Sequence, residues 1–444
     1  MDIKQLYQLY KQHPQVTTDS RDCPEGSIFF ALKGATFDGN KFAKAALEKG
    51  CSYAVVDEEE YYDAADGRMI LVDDSLTTFK ELAREHRRQF NIPVIGITGT
   101  NGKTTTKELV SAVLAEKFKV MHTEGNFNND VGVPKTLLRL TDKDEIAVVE
   151  MGASHPGDIK KLVEYVEPTC GLITNVGRAH LQGFGSFEGV MKTKGELYDY
   201  LKAHDGLVFL NKANPYLKKM AEERGIDKTV NYGQAQRSIY DVTGVLGPCD
   251  PFLKFRFACV KRRYGFMTTV DLHDVETHLI GSYNIDNCLA AIAVGFHFGV
   301  NTGDIRRAIM NYQPTNNRSE LVTTQDNTLV VDAYNANPTS MAAAIDSFAA
   351  LEMPQPKMAI LGDMRELGEV SSEEHQKVVD SLKDKGFADV WLVGDEFGKT
   401  QCGFRKFKDV DEVKAAIAQD KPTGRCILIK GSNGTKLFEL PPLL

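Results

Sequence analysis

From residue 93 onward, short apolar runs alternate with longer stretches whose apolar residues recur at helical spacing. The runs at 93–97, 145–149, 170–174 and 207–210 are each bounded by Gly, Asp or Asn, and the pattern returns at 328–331, 358–361, 390–393 and 426–429. Such runs predict strands buried on both faces of a parallel sheet. The helical stretches between them predict α/β architecture. A helix is expected to start near Lys103, directly after a glycine-rich loop.

The first segment reads differently. Short strands at 27–32, 52–56 and 69–72 are interleaved with two or three helices, and a helix over 76–90 leads into Asn91-Ile92-Pro93. Between 229 and 279 strand-like segments follow one another without helices, which predicts an antiparallel extension of the central sheet. The polar, turn-prone stretch 311–317 follows a helix around 305–310. These breaks divide the chain into domains at 1–87, 88–312 and 313–444. The fold class is α/β with three domains: a small α/β N-terminal domain, a central parallel-sheet domain and a Rossmann-like C-terminal domain. The apolar run 288–300 is short and carries His297, so it predicts a buried helix and no membrane span.

Composition narrows the function. The 444 residues carry a net charge of -8, so no basic footprint marks a nucleic-acid binder. The eight cysteines are scattered with no Cys-x-x-Cys pair. Neither a zinc site nor a disulfide framework is expected; reduced thiols in a cytoplasmic enzyme fit. Met1-Asp2-Ile3-Lys4-Gln5 leads into polar residues, and no secretory signal is expected.

The strongest chemical signal is Gly99-Thr100-Asn101-Gly102-Lys103-Thr104-Thr105, between a predicted strand and a predicted helix. Glycines let the backbone approach phosphate oxygens, while amide N–H groups and the helix N-terminus favour the anion. Lys103 would reach the outer phosphates and the Thr104 hydroxyl would ligate Mg²⁺. Ile97 stands where the common phosphate loop has its first glycine. This central P-loop domain implies a nucleoside triphosphate and leaves kinase, GTPase, ATPase and ligase open.

Further segments extend the pattern. They include Thr18-Asp19-Ser20-Arg21, Gly125-Asn126-Phe127-Asn128-Asn129-Asp130, Glu150-Met151-Gly152-Ala153 and Asn175-Val176-Gly177-Arg178-Ala179-His180. Asp332-Ala333-Tyr334-Asn335-Ala336-Asn337-Pro338 and Leu361-Gly362-Asp363-Met364 follow in the C-terminal part. With the loop 98–104, the chain resembles the Mur ligases, ATP-dependent amino-acid and peptide ligases of cell-wall precursor synthesis, nearly end to end.

The resemblance implies ligation of D-alanyl-D-alanine to UDP-N-acetylmuramoyl-tripeptide through an acyl phosphate, with release of ADP and phosphate, in peptidoglycan synthesis. It implies ATP contacts from Gly99, Thr100, Asn101, Gly102, Lys103, Thr104 and Thr105, with Asn284 reading adenine, and Arg318 and Asp332 reaching the nucleotide from the C-terminal part. It implies two Mg²⁺ ions held by Thr104, Glu150, His180 and a carbamylated Lys194. Lys103, Lys194, His180 and Glu150 form the implied catalytic set. A carbamate needs a neutral amine first, which burial of a lysine favours. Ser20 and Arg21 are expected at the uridine diphosphate end. Asn126 and Asn128 are expected to face the muramoyl-peptide, and Tyr334, Asn335 and Asn337 the dipeptide. Three departures stand out. Tyr283 occupies a position where the family often has His, Asn317 precedes Arg318 where the family usually has Gly, and Asn433-Gly434-Thr435 replaces an arginine-containing continuation of Lys430-Gly431-Ser432.

A cytoplasmic monomer with no nucleic-acid partner is expected. Another amide ligase of the superfamily, a P-loop kinase and a nucleotide-binding scaffold with a dead site remain alternatives at this point. The third residue of the stem peptide is not legible.

Overall fold

A computed structural model describes residues 1–34, 36–237, 239–263, 266–314 and 318–444. The predicted turn at 311–317, with Asn317, lies partly outside them. The chain forms two compact units, residues 1–96, 119–151 and 160–168, and residues 97–118, 152–159 and 169–444.

The chain opens with α1 (Ile3–Gln12), β1 (Val16–Thr17), β2 (Ile28–Phe30), α2 (Ala43–Glu48), β3 (Tyr53–Val56), β4 (Met69–Leu71) and α3 (Ser75–Arg87). Strands β1 to β4 form a four-stranded sheet in sequence order, all parallel. Helix α1 starts where the Asp2 carboxylate accepts the Gln5 N–H and the Gln5 side chain returns to the Asp2 N–H. This reciprocal pair satisfies two of the first turn's orphan donors. Its Leu6, Tyr7 and Tyr10 face is buried. The Tyr10 hydroxyl donates to the Leu138 carbonyl at 2.6 Å, and the imidazole of His86 on α3 bridges the Tyr7 hydroxyl and the Leu140 carbonyl.

Next come β5 (Val94–Thr98), α4 (Lys103–Ala115), β6 (Val120–His122), α5 (Gly132–Leu137), β7 (Ile146–Glu150) and α6 (Asp158–Val166). In the first unit β6 and β7 pair in parallel. Then follow β8 (Cys170–Ile173), α7 (Leu181–Phe184), α8 (Phe187–Ala203), β9 (Leu207–Asn211), α9 (Pro215–Glu223), β10 (Thr229–Gln234), β11 (Val242–Cys249), β12 (Phe252–Arg263) and β13 (Phe266–Ile280). In the second unit they run in the order β13-β12-β11-β10-β9-β8. The region 229–279 was expected to be antiparallel, but β10 pairs in parallel with both β9 and β11. Only β12 and β13 are antiparallel extensions. The β10–β11 overlap spans just Tyr232 to Gln234, so a short return loop suffices.

The run at 288–300 belongs to α10 (Asn284–His297), buried along most of its length and followed by α11 (Thr302–Asn311). Gly295 lets α10 approach α4, because a Cβ there would lie 2.3 Å from a Val113 methyl. The C-terminal part holds β14 (Glu320–Thr323), β15 (Thr328–Asp332), α12 (Pro338–Ala350), β16 (Lys357–Gly362), α13 (Ser371–Leu382), β17 (Asp389–Val393), α14 (Asp395–Gly398), β18 (Arg405–Phe407), α15 (Val410–Gln419) and β19 (Cys426–Lys430). Its sheet runs β14-β15-β19-β16-β17-β18, parallel but for the edge strand β14. Met341, Ile345, Phe348 and Val379 of α12 and α13 cover one face. Val413 and Ile417 of α15, with Leu437 and Leu440, cover the other, as in a doubly wound sheet.

Among the described residues no helix is long and apolar enough to cross a membrane, and all eight cysteines are free. Replacing Tyr10 with Phe would strand the buried Leu138 carbonyl. We expect Tyr10→Phe to lower the unfolding free energy by about 1–2 kcal/mol in a urea titration.

Candidate active site

The phosphate loop is built by packing on three sides. Gly99 and Gly102 have φ of +146° and +74°. A Cβ on Gly99 would lie 2.0 Å from the Thr174 hydroxyl, and one on Gly102 would lie 2.6 Å from the Asn287 side-chain oxygen. Glycine is thus required both for the backbone conformation and for the close approach of β8's C-terminal end and α10. The Thr100 N–H donates to the Asn175 carbonyl at 2.9 Å, and the Asn101 N–H donates to the Asn175 side chain at 3.0 Å. The Thr174 hydroxyl and the Asn175 amide both donate to the Asn101 carbonyl. At the other end, the Thr106 hydroxyl donates to Asn287 at 3.0 Å.

Helix α4 begins at Gly102 without a side-chain cap. The positive end of the helix dipole there favours an anion. The Lys103 ammonium folds back onto the Gly99 and Thr100 carbonyls at 3.0 and 3.1 Å.

Lys194 is on the inward face of α8, which the Ser186 hydroxyl caps by accepting the Gly189 N–H. Val190, Lys194, Leu197 and Leu201 make a helical stripe, and all four are buried. The Lys194 amine donates to the Ala153 carbonyl at 3.4 Å and lies 5.5 Å from the Phe184 ring centroid. Burial, then the nearby Lys103 charge, hold its pKa well below the ordinary lysine range, although Asp158 and Glu196 pull the other way.

His180 follows β8 with φ of +49°, a left-handed conformation unusual for a residue with a side chain. Burial lowers its pKa, and Lys103 and Lys194 add to that, outweighing Glu366. The Glu366 carboxylate lies against its Nδ1, off the line of an aligned hydrogen bond. Glu366 itself has φ of +63°. The same loop is held at other points. The Arg178 N–H donates to the Thr339 hydroxyl at 3.0 Å, and the Arg178 guanidinium pairs with the buried Glu374 carboxylate at 3.2 Å.

In the first unit, Glu150 ends β7 fully buried. Its carboxylate accepts the Asn128 amide at 2.7 Å, and its N–H donates to the Thr123 hydroxyl. Asn126 is exposed. Arg21 is exposed and pairs with Asp19 at 2.7 Å. This pairing holds the Asp19 carboxyl well below its ordinary range. The Ser20 carbonyl accepts the Lys49 ammonium.

The remaining second-unit residues divide by partner. Asn284 donates to the Ile280 carbonyl at 2.8 Å and accepts from Asn287 at 2.8 Å, which leaves one N–H and one lone pair of its amide. The Tyr283 hydroxyl meets the Ser319 hydroxyl at 2.9 Å. The Arg318 guanidinium stacks on the Tyr334 ring at 3.7 Å, and its Nε is buried with no hydrogen-bond partner among the described residues. Asp332 accepts from the buried Lys430 ammonium at 2.6 Å, directly across the β15–β19 pair. The Asn335 side chain accepts the Ala336 N–H, and its carbonyl accepts Lys430. The Asn337 side chain caps α12 by accepting the Ser340 N–H, and its amide donates to the Asn101 side chain at 2.7 Å.

The structure therefore brings Lys103, His180 and Lys194 together, and joins Asn101 to Asn337. Sequence reasoning missed Thr174, Asn175, Glu366, Glu374 and Lys430. The segment Asn175–Gly177 was in the motif, but nothing in a strand-end loop announces that its amide will hold another loop.

Among the described residues no three His, Cys, Asp or Glu side chains cluster as a metal cage. The chemistry of the donors still fits Mg²⁺, which takes oxygen ligands, keeps several waters and leans on substrate phosphates. An amine on Lys194 does not fit such an ion; a carbamate oxygen does.

Gly102→Ala should weaken ADP binding about tenfold or more in calorimetry, because the left-handed backbone and the Asn287 contact both oppose a methyl group.

Family models cover the chain in three parts: "Mur ligase family, catalytic domain" over residues 14–87, "Mur ligase middle domain" over 97–295, and "Mur ligase, glutamate ligase domain" over 317–433. The UDP-N-acetylmuramoyl-tripeptide–D-alanyl-D-alanine ligase of Bacillus subtilis is 33% identical over 435 residues, covering 96% of this chain and 92% of the relative. That of Escherichia coli is 33% identical over 434 residues, covering 96% and 92%. Among solved structures, MurF from Acinetobacter baumannii superposes with a TM-score of 0.86 at 28% identity, covering 96% of this chain and 92% of that one. MurF from Thermotoga maritima in complex with ADP gives 0.82 at 27% identity, covering 97% and 96%. The α/β fold with three domains, the phosphate loop and the end-to-end similarity converge: the chain belongs to the Mur ligase family.

Proposed function

We propose that this chain joins D-alanyl-D-alanine to UDP-N-acetylmuramoyl-tripeptide at the expense of ATP, giving the pentapeptide precursor of peptidoglycan with release of ADP and phosphate. The observation that carries the chemistry is the fully buried Lys194 beside Lys103 and His180. The choice of substrates is supported by the names of the relatives. The proposed domain limits are 1–87, 88–312 and 313–444, and the proposed working form is a cytoplasmic monomer.

The reaction has two steps. A carboxylate oxygen of the tripeptide attacks the γ-phosphorus, the bond to the β-γ bridging oxygen breaks, and ADP leaves. The dipeptide amine then attacks the acyl carbon, loses a proton, and phosphate departs. The difficulty is electrostatic, since one anion must approach another. Lys103, released from the Gly99 and Thr100 carbonyls, supplies a positive charge to the outer phosphates. The uncapped start of α4 adds backbone N–H donors. Arg318 presents a guanidinium held on Tyr334, its Nε without a partner among the described residues. Asn284 retains a donor and an acceptor for the adenine edge. Mg²⁺, where bound, would neutralise phosphate charge and polarise the γ-phosphoryl group. Its proposed ligands are Thr104, Glu150, His180 and the carbamate of Lys194.

Carbamylation follows from the lysine's environment. An ordinary lysine, with pKa about 10.4, is neutral in roughly one molecule in a thousand at pH 7.4. Burial and Lys103 lower the Lys194 value, so the neutral amine that attacks CO₂ persists to lower pH. The amine nitrogen bonds to the CO₂ carbon, one N–H proton is released, and the side chain becomes an anionic oxygen donor. The carbamate-competent form is lost as pH falls through the lowered value.

Lys194→Ala should reduce turnover by at least about a hundredfold, with partial rescue by short carboxylates, and activity of the unsubstituted protein should decline on acidification. A carbamate carbon signal after equilibration with ¹³CO₂, absent from Lys194→Ala, checks the modification directly; its absence from both proteins would reject it. In an acceptor screen with phosphate detection, D-alanyl-D-alanine with a UDP-muramoyl-tripeptide should release phosphate, whereas single amino acids, glutamate and UDP-muramoyl-dipeptides should not. No product from a lysine- or a diaminopimelate-containing tripeptide would overturn the proposal.

A further inference from the structure

The dipeptide is a zwitterion whose one full negative charge is its terminal carboxylate. Its recognition calls for a cation with hydrogen-bond donors to spare. Tyr334, Asn335 and Asn337 carry no charge, and the two asparagine side chains already serve the Ala336 and Ser340 N–H groups and Asn101. The family's arginine after Lys430-Gly431-Ser432 is missing, since Asn433 and Gly434 stand there.

The space beside Gly434 is filled from another loop. A Cβ on Gly434 would lie 2.2 Å from Arg365 Cζ and Nη1 and 2.5 Å from Nη2. The absent side chain is what makes room for the guanidinium. Arg365 follows β16, and its main chain is pinned by donation from its N–H to the Ser432 hydroxyl at 3.1 Å. Its Nη2 donates to the Gly434 carbonyl at 3.2 Å. Among the described residues that is its only side-chain hydrogen bond, and no carboxylate pairs with it. Of five N–H donors, four remain.

The setting is that of a ligand site. Arg365 and Gly434 line a cavity of about 970 Å³ past the ends of β16, β17 and β19. These are the carboxyl ends of parallel strands, where open α/β sheets bind their ligands. Carboxylates outnumber cations in the lining, but most are already engaged. Asp363 accepts the Glu396 and Phe397 N–H groups, Glu396 pairs with Lys399, Glu366 lies against His180, Asp409 accepts the Asp411 and Glu412 N–H groups, and Asp411 and Glu439 share Lys414. Glu369 and Asp395 line the cavity as further carboxylates, suited to an ammonium. Lys408 and Lys436 also line it, but Arg365 alone is anchored at both its backbone and its guanidinium and offers the planar fork that matches a carboxylate.

We propose that Arg365 binds the terminal carboxylate of the incoming dipeptide. The inference rests on the acceptor proposed above and adds the residue that recognises it.

The test compares D-alanyl-D-alanine with its C-terminal amide, which keeps the reacting amine and removes the charge. The unsubstituted protein should prefer the free acid by about thirtyfold or more in kcat/KM, the range of a charged hydrogen bond. Arg365→Met should raise KM for the dipeptide by a similar factor, leave KM for ATP within about twofold, and use acid and amide almost equally. Gly434→Ala keeps the arginine but displaces it, and should shift the same preference. Adding Asn433→Arg to Arg365→Met should restore the preference for the acid. If Arg365→Met retains the full preference, the assignment is wrong while the acceptor stands. If the unsubstituted protein makes no product from D-alanyl-D-alanine but does so from another amine, the acceptor itself is wrong and the assignment falls with it.

Discussion

The phosphate loop has no stability of its own, and the rest of the site depends on how it is held. Two of its glycines sit where a single methyl group would collide with Thr174 or Asn287. Thr174 and Asn175 take up the Asn101 carbonyl, and Asn287 takes up Thr106. One loop is thus clamped between the end of β8 and the start of α10. Glycine adopts this backbone without steric penalty but loses more chain entropy on folding, and these two elements offset that loss. The clamp uses the Thr100 and Asn101 N–H groups internally.

The loop from Asn175 to His180 carries that constraint outward. Its first residues staple the phosphate loop, and its later residues meet the C-terminal part at Thr339, Glu366 and Glu374. Asn101 and Asn337 join the same two regions directly. Nucleotide loop and C-terminal segment are therefore energetically coupled. The buried Glu374 carboxylate is shared between Arg178 at 3.2 Å and Lys377 at 2.9 Å, so it ties the loop to α13 without depending on Arg178 alone.

Lys194 shows how one residue's chemistry follows from a helix's packing. Its position in the stripe Val190, Lys194, Leu197, Leu201 turns the amine inward, where desolvation and Lys103 disfavour its charge. Viewed alone, a lysine on an amphipathic helix is a solvated surface residue. The spacing of four to Val190 and three to Leu197 places it on the helix's buried face. The same holds for the buried run of α10, whose apolar sequence implied a core helix although its partner α4 was not predictable.

The sequence by itself determined the α/β class, the parallel strands, the phosphate loop and the family, because hydrophobic period and glycine placement are local and every strand needs them. It also marked Asn433 and Gly434 as a departure, without saying what occupied the vacated space. Only the tertiary structure decided which polar groups face one another. Arg365 reaches Gly434 across two parallel strands, Lys430 meets Asp332 through β15–β19 register, and β10 runs parallel where antiparallel pairing was expected. These outcomes depend on strand order and loop closure between residues tens of positions apart, and no local periodicity encodes them.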